Sequence, residues 1–211
     1  MSSSSLPGEG LFMAVTGPSG SGKTSVCKTL LEIFPRLRFS VSLTTRPPRP
    51  AETDGKDYHF VSEAEFHDRI RRGDLIEWAE NYGKLYGTSR ETMEAALREG
   101  HDLLLDVDTR GARALKKVWP GGIFVFIIPP SIEVLEKRLR GRGSETEETI
   151  RRRYDNALAE IREMVWYDYI IMNDELDAAI DRLRAIYVAE KCRRERMMVK
   201  IKSFFDRSGG M

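Results

Sequence analysis

The sequence predicts an α/β fold in which a parallel sheet is flanked by helices. The runs LFMAVT, HDLLLDV, IFVFII and DYIIM are continuously apolar, which is typical of strands that are buried on both faces. Segments with helical periodicity, such as SVCKTLLEIF and SRETMEAALREG, alternate with these runs. Because strands that alternate with helices form βαβ crossovers, we expect the strands to lie parallel in one sheet.

The first predicted strand leads directly into the octapeptide GPSGSGKT. A G-x-x-x-x-G-K-[ST] pattern between a strand and a helix is the phosphate-binding loop (P-loop) of nucleotide-binding α/β domains. Its glycines let backbone N–H groups converge on phosphate oxygens at the positive end of the following helix. Lys23 can reach the terminal phosphates, and the Thr24 hydroxyl can ligate Mg²⁺. The predicted phosphate contacts are Gly17, Pro18, Ser19, Gly20, Ser21, Gly22, Lys23 and Thr24.

The composition is that of a soluble globular chain with one core. Of the 211 residues, 41% are hydrophobic and 32% charged, and the formal net charge is +1. Such a charge gives no general attraction to nucleic acid or to an anionic membrane, so the function must come from local sites. Cys27 and Cys192 show no metal-ligand spacing and suit a reducing compartment. Residues 1–10 predict a disordered leader, and no run could span a bilayer, so we expect a cytoplasmic protein.

A first segment that interrupts the α/β alternation covers residues 42–88. It is rich in turns and aromatic residues, and its prolines Pro47, Pro48 and Pro50 exclude a regular helix there. We therefore expect a small irregular or mixed unit inserted into the core.

A second interrupting segment, residues 136–154, predicts an arginine-rich helix–loop–helix. The first helix should break at the glycines of RLRGRG, and Ser144 could start the next helix in a capping box with Glu147. Arg138 and Arg142 would share one helix face if the helix reached that far, and Arg153 could be aimed at the same point. Either a set of phosphate-binding arginines or a solvated helix surface is consistent with this pattern.

The first insertion contains side chains suited to a phosphate monoester. Arg46 and Arg49 flank two prolines, and Tyr58 and Tyr86 lie downstream. Guanidinium groups bind a dianionic phosphate in a planar bidentate manner, and tyrosine hydroxyls add donors.

Three acidic residues are candidates for binding the second substrate or lying near the metal. Glu77 in LIEWAE would match the adjacent N1 and N2 donors of guanine, although a glutamate in such a stretch, taken alone, is more often an exposed strand or helix residue. Asp106 and Asp108 lie on one side of an extended chain at the carboxyl end of a strand, where α/β sheets place ligands. One could lie near the metal and the other near the second substrate.

Taken together, the motifs resemble those of the guanylate kinases, which phosphorylate GMP with ATP. From about Leu11 to Ala189 they are GPSGSGKT, SLTTRPPRP, GKDYHFVS, LIEWAE, YGT, LDVDTRGA, RLRGRGSETEETIRRR and IMND. The resemblance implies a P-loop kinase domain over residues 11–190 that uses Mg²⁺ with ATP. Its parts would be a core (11–41, 89–135, 155–190), a GMP-binding insertion (42–88) and a helical lid (136–154). Residues 191–211 would form a basic C-terminal helix or tail, which could pack on a partner subunit.

The resemblance also implies roles for individual residues. The phosphate of GMP would be bound by Arg46, Arg49, Tyr58 and Tyr86. The guanine would be bound by Ser42, Glu77, Thr88 and Asp108, with Gly87 next to them. The ATP side would add the lid arginines Arg138, Arg142 and Arg153, and Asn173 of IMND near the adenine. Phosphoryl transfer would depend on Lys23, Arg49, Arg142 and Arg153. Thr24 would ligate Mg²⁺, and Asp106 is a further candidate metal ligand.

The sequence departs from the family pattern at three positions. Ala51 replaces a glycine in the turn before Glu52, Arg110 replaces a common glutamine, and Thr88 replaces a frequent serine. The change at position 51 predicts a different turn, and the change at position 110 could alter the position of the substrate. The hydroxyl at position 88 is retained.

Three other functions are weighed against a GMP kinase. Scaffold domains with this fold bind phosphopeptides but have a degraded P-loop and lid, whereas Lys23, Thr24 and the arginines are present here. A kinase of a sugar phosphate would not need Ser42, Glu77 and Asp108. A regulatory GTPase would carry an N-K-x-D segment, which this sequence lacks. We expect ATP and GMP or dGMP as partners, without nucleic acid or membrane, in a monomer or a homo-oligomer.

Overall fold

The computed structural model describes residues 10–81, 83–141, 146–198 and 201. Its strands and helices follow in chain order. The strands are β1 (Phe12–Thr16), β2 (Leu37–Phe39), β3 (Ser42–Thr44), β4 (Tyr58–Phe60), β5 (Leu75–Asn81), β6 (Lys84–Ser89), β7 (Asp102–Asp106), β8 (Ile123–Ile128) and β9 (Tyr169–Met172). The helices are α1 (Lys23–Ile33), α2 (Glu63–Arg72), α3 (Arg90–Arg98), α4 (Thr109–Val118), α5 (Ile132–Arg140), α6 (Glu147–Arg162) and α7 (Leu176–Lys191), with a 3₁₀ turn at Glu163–Trp166.

The main sheet confirms the predicted fold class. Over the described residues it has the strand order β2-β7-β1-β8-β9, and every neighbouring pair is parallel. The four apolar runs of the sequence supply β1, β7, β8 and β9. Parallel strands bring their carboxyl ends to one edge, so the loops after β1 and β7 lie side by side there.

Helices cover both faces of the main sheet, which explains why its strands are continuously apolar. Met13 and Val15 of β1 pack in a cluster that includes residues of α1 and α7, with Leu30 and Leu183 fully buried. Ala14, between them, packs in the opposite cluster with residues of α3 and α4. Both faces of β1 are therefore covered, and all five of its residues are buried.

The insertion forms a second, mixed sheet, as the sequence predicts. Its strand order is β4-β3-β6-β5, with β3 and β4 parallel and the other pairs antiparallel. Helix α2 covers it, and a small core forms around Leu43, Phe66, Leu75 and Leu85. The proline segment between β3 and β4 is described throughout and contains no helix. This unit has its own small core, and β5 packs on α4 of the main domain.

The second interrupting segment is a helix–loop–helix, but its details differ from the prediction. Helix α5 ends at Arg140, so it does not reach position 142. Helix α6 starts at Glu147 with Thr146 as its N-cap, because the Thr146 hydroxyl accepts a hydrogen bond from the Thr149 N–H. The predicted start at Ser144 is therefore wrong. Arg142 and Ser144 themselves lie outside the described residues.

The C-terminal segment is interrupted where the sequence predicts one basic amphipathic helix. Helix α7 ends at Lys191, and a separate helical stretch follows at residues 194–198. The end of α7 is anchored to the chain's own core, because Lys191 contacts the Asp102 carboxylate and Glu190 accepts a hydrogen bond from Tyr169. Across the described residues, the helices are all too short or too polar to cross a membrane.

Asp102→Asn is expected to destabilise the fold by about 2–3 kcal/mol, since it breaks a partly buried ion pair and weakens the bonds to a buried carboxylate. The Asp102 side chain is 7% exposed, and it accepts hydrogen bonds from the Leu11 N–H, the Tyr187 hydroxyl and Lys191. Burial opposes ionisation, but these donors outweigh it and hold the pKa of Asp102 below its usual value. The stabilisation is therefore present above the usual aspartate range and is lost as pH falls through the lowered pKa.

Urea unfolding at about pH 7 checks this expectation. Asp181→Asn is a matched control on α7, because the Asp181 side chain is 76% exposed and its ion pair with Arg184 is long. Equal stability of the Asp102→Asn variant and the control would contradict the proposed anchoring.

Candidate active site

The P-loop, residues 17–24, joins β1 to α1 at the carboxyl edge of the main sheet. Gly20 and Gly22 have φ angles of 89° and 85°, a left-handed conformation that favours glycine. A Cβ atom at Gly17 would lie 2.3 Å from the Ile127 carbonyl oxygen, and one at Gly22 would lie 2.2 Å from Nδ2 of Asn173. The glycines of the motif are thus required by the backbone and by close packing.

Asn173 and Arg153 come from distant parts of the chain to brace this loop. The Asn173 side chain is buried, and its amide donates a 2.6 Å hydrogen bond to the Ser21 carbonyl. Arg138 of α5 donates to the Asn173 carbonyl at 3.1 Å, and Arg153 of α6 donates to the Ser19 hydroxyl. Sequence reasoning did not predict the contact between Asn173 and the loop. Of the predicted lid arginines, Arg153 contacts the P-loop directly, and Arg138 is linked to it through Asn173.

Lys23, the P-loop lysine, forms an ion pair with Asp106 at the end of β7. Their side chains are only 18% and 22% exposed. Burial alone would lower the pKa of Lys23, but the Asp106 carboxylate outweighs it and raises that pKa to about 12. Lys23 is therefore a fixed positive charge beside the P-loop backbone, and Thr24 follows it on the exposed side of α1.

A cavity of about 190 Å³ joins the P-loop lysine to the predicted GMP site. It lies between the two sheets, because β3, β4, β5 and β6 supply one wall and the end of β7 supplies the other. The lining residues are Lys23, Ser42, Tyr58, Glu77, Ala79, Tyr86, Gly87, Asp106, Val107 and Asp108. Residues predicted for the two substrates therefore meet in one space.

Glu77 is a buried carboxyl at this cavity. It is 7% exposed, and the Thr88 hydroxyl donates a 2.7 Å hydrogen bond to its Oε1. Burial, together with the nearby charge of Asp108, raises the pKa of Glu77 to about 7. A Cβ atom at Gly111 would lie 2.7 Å from Oε2, so that position must stay small. The sequence suggested an acceptor at position 77 but not its perturbed titration.

Asp108 is positioned by the start of α4. Its carboxylate accepts a hydrogen bond from the Gly111 N–H at 2.8 Å as the N-cap of the helix, which fixes the side chain beside Glu77.

Arg110, one of the departures from the family pattern, donates a 3.3 Å hydrogen bond to the Glu80 carbonyl of β5. It therefore links α4 to the inserted sheet and does not line the 190 Å³ cavity.

The phosphate-binding set is only partly assembled. Arg46 lies over the ring of Tyr58, with its Cζ 5.3 Å from the ring centroid, and the rings of Tyr58 and Tyr86 are 6.0 Å apart. Arg49 stands apart, because its side chain is 72% exposed and does not line the cavity.

The turn that carries Arg49 contains an acid that sequence reasoning missed. The carboxylate of Glu52 accepts two hydrogen bonds from Arg46. The turn itself keeps a backbone hydrogen bond from the Glu52 N–H to the Arg49 carbonyl at 2.9 Å, so Ala51 is accommodated. The spacing of Glu52 from the two arginines, six and three residues, was the available signal.

The fold and this cavity define the chain as a P-loop kinase of the nucleotide-binding α/β class, with a second, inserted sheet. Known proteins agree with this assignment. The family model described as guanylate kinase matches residues 12–190. The guanylate kinase of Geobacter metallireducens is 48% identical over 198 residues, which cover 94% of this chain and 98% of the relative. That of Syntrophus aciditrophicus is 49% identical over 197 residues, covering 93% and 95%.

Solved structures lead to the same family. The crystal structure of guanylate kinase from Anaplasma phagocytophilum aligns with a TM-score of 0.76 at 31% identity and covers 95% of this chain and 98% of that one. The chain belongs to the guanylate kinase family.

Proposed function

We propose that this chain transfers the γ-phosphoryl group of ATP to GMP, and to dGMP, giving ADP and the nucleoside diphosphate. As a member of the guanylate kinase family it is an enzyme, an ATP:GMP phosphotransferase. The main support for the direction of transfer and the choice of acceptor is one cavity that joins Lys23 of the P-loop to Glu77 and Tyr86 of the inserted sheet.

On the ATP side, backbone N–H groups of residues 17–24 bind the phosphates, and Lys23 neutralises their charge. The contact of Arg153 with Ser19 supports a role for this arginine at the transferring phosphoryl group. Asn173 donates to the Ser21 carbonyl of the loop, and Arg138 donates to the Asn173 carbonyl, so we assign both residues to ATP binding. Arg142 is assigned to phosphoryl transfer by the family pattern alone.

Mg²⁺ would be held by Thr24 together with the nucleotide phosphates, with Asp106 as the second protein ligand. The donor set fits, because Mg²⁺ is usually bound through one or two protein oxygens plus substrate phosphates. When bound, it neutralises phosphate charge and orients the transferring group. Asp106 is engaged by Lys23 in the structure, so a triphosphate would also have to draw Lys23 toward its own oxygens.

On the acceptor side, Arg46, Arg49, Tyr58 and Tyr86 bind the phosphate of GMP. Glu77 accepts hydrogen bonds from the two guanine donors, and adenine presents no such pair on that edge. The remaining base contacts are Ser42, Thr88 and Asp108, with Gly87 leaving room beside them.

The transfer itself needs alignment and charge neutralisation more than covalent chemistry from the protein. A loose transition state spreads charge over the equatorial oxygens, and Lys23, Arg49, Arg142 and Arg153 supply the compensating charge. Arg49 is exposed here, so it must move toward the cavity when GMP binds. Such closure also excludes water, which would otherwise take the phosphoryl group.

An ADP-release assay with Mg-ATP and each nucleoside monophosphate in turn, beside a control without acceptor, tests this proposal. We expect strong turnover with GMP and dGMP only, and none after chelation of Mg²⁺. Turnover without acceptor would indicate an ATPase or GTPase, and silence with every acceptor would favour a scaffold or a sugar-phosphate kinase. The cytoplasmic location and the choice between monomer and homo-oligomer stay predictions.

A further inference from the structure

Glu52 contacts both arginines that the proposed function assigns to the phosphate of GMP. Its Oε2 accepts a hydrogen bond from Nη1 of Arg46, and its Oε1 accepts one from Nη2, both at 2.8 Å. Oε2 also accepts the Arg49 backbone N–H at 2.8 Å, and Oε1 lies 4.0 Å from Nη1 of Arg49. One carboxylate therefore connects the two positions.

The pair between Glu52 and Arg46 is sheltered and has a defined geometry. Their side chains are 16% and 15% exposed, and two parallel hydrogen bonds fix the plane of the guanidinium. The Pro47 carbonyl accepts a further 2.8 Å bond from Arg46, and the Tyr58 ring lies beside it. The hydrogen bonds to Glu52 raise the pKa of Arg46, and those from Arg46 lower the pKa of Glu52, so both groups stay charged.

The same carboxylate closes the turn that presents Arg49. The Glu52 N–H donates to the Arg49 carbonyl at 2.9 Å, and the Glu52 side chain accepts the Arg49 N–H. These reciprocal bonds hold the turn from both sides. Both bonds form with Ala51 in the turn.

We propose that Glu52 is the positioning residue for the acceptor phosphate, holding Arg46 and the Arg49 turn in a geometry that receives it. This inference rests on the proposed function. Two effects of removing the carboxylate oppose each other. Loss of a negative charge would by itself tighten binding of a dianion, whereas release of a long side chain and a turn would weaken it. The second effect is larger, because the charge of Glu52 is already compensated by Arg46 at 2.8 Å.

Glu52→Gln tests the proposal, because it keeps the shape of the side chain and removes its charge. We expect KM for GMP to rise about tenfold, with KM for ATP changed less than about twofold. Glu65→Gln is the matched control. Glu65 forms hydrogen bonds of 3.2 and 2.8 Å with Arg69 in the same inserted unit, but on the surface of α2. If Glu52 had only a structural role, Glu52→Gln would change stability without raising KM for GMP more than KM for ATP.

Arg46→Ala, assayed in parallel, separates the role of Glu52 from the existence of the phosphate site. If it raises KM for GMP while Glu52→Gln leaves that KM unchanged or lowers it, the role of Glu52 is overturned and the phosphate site stands. If Arg46→Ala also leaves KM for GMP unchanged, the phosphate site of the proposed function fails. Should the Glu52→Gln variant be partly unfolded by circular dichroism, Glu52→Asp decides. Its shorter carboxylate cannot span Arg46 and the Arg49 N–H, so an unchanged KM for GMP there also overturns the proposal.

Discussion

Replacing Lys23 by methionine is expected to lower kcat by about 10³-fold, the largest loss that we predict for one side chain. Lys23 is the fixed positive charge at the P-loop, and the cavity that it lines leads to the acceptor site. Charge that develops on the transferring group would lose its nearest protein cation. Methionine keeps the length and the apolar stem of lysine, so the loss would be electrostatic.

Steady-state kinetics with saturating ATP and GMP measure this effect. The substitution also leaves Asp106 without its partner, so thermal unfolding should be recorded on the same protein. Lys28→Met is the control, because Lys28 lies on the same helix, α1, with an exposed side chain. A Lys23→Met variant that is folded and keeps more than about a tenth of the wild-type kcat would contradict the role of Lys23.

Replacing Glu77 by glutamine is expected to reduce kcat/KM for GMP by about 10²–10³-fold, with a much smaller effect on KM for ATP. Two charge-assisted hydrogen bonds to guanine would be lost, and the new amide would place a donor against a guanine donor. Equal losses for both substrates would show that Glu77 does not read the base.

The same substitution should stabilise the protein at about pH 8. Burial raises the pKa of Glu77 to about 7, so the folded protein holds a proton that the unfolded chain would release at lower pH. Stability from this group is full below the unfolded pKa and is lost as pH rises through the folded pKa. Glutamine avoids that loss, which is on the order of 3 kcal/mol for a shift of this size. The advantage should disappear near pH 5.

Thermal unfolding at the two pH values, beside GMP kinetics, checks both consequences. In the wild-type protein, protonation of Glu77 should raise KM for GMP as pH falls below about 7. The glutamine variant should not show this contribution to KM. Glu80→Gln is the control, because Glu80 lies on the same strand, β5, with its side chain exposed. A glutamine variant that is less stable than wild type at pH 8 would contradict the cost assigned to the buried charge.

Elements with a strong local signal were predicted from the sequence. The apolar runs predicted β1, β7, β8 and β9 because strands buried on both faces consist mainly of apolar residues. The P-loop was predicted because its glycines meet a local requirement: two of them adopt a left-handed backbone. Helix boundaries in the lid were predicted less well, since Ser144 and Thr146 offer similar capping chemistry and the hydrogen bond to Thr149 selects the second.

The sequence by itself determined the fold class, the phosphate-binding loop and the chemical types of the residues that could hold two nucleotides. All of these depend on residues that are near one another in the chain, or on motifs whose spacing has a physical reason. Only the tertiary structure decided which of these residues meet. It brought Asn173 to the carbonyl of Ser21, 152 positions away, and Asp106 to Lys23. It also decided the burial that raises the pKa of Glu77. Contacts between distant segments and the degree of desolvation follow from how the sheets and helices pack, which local patterns do not encode.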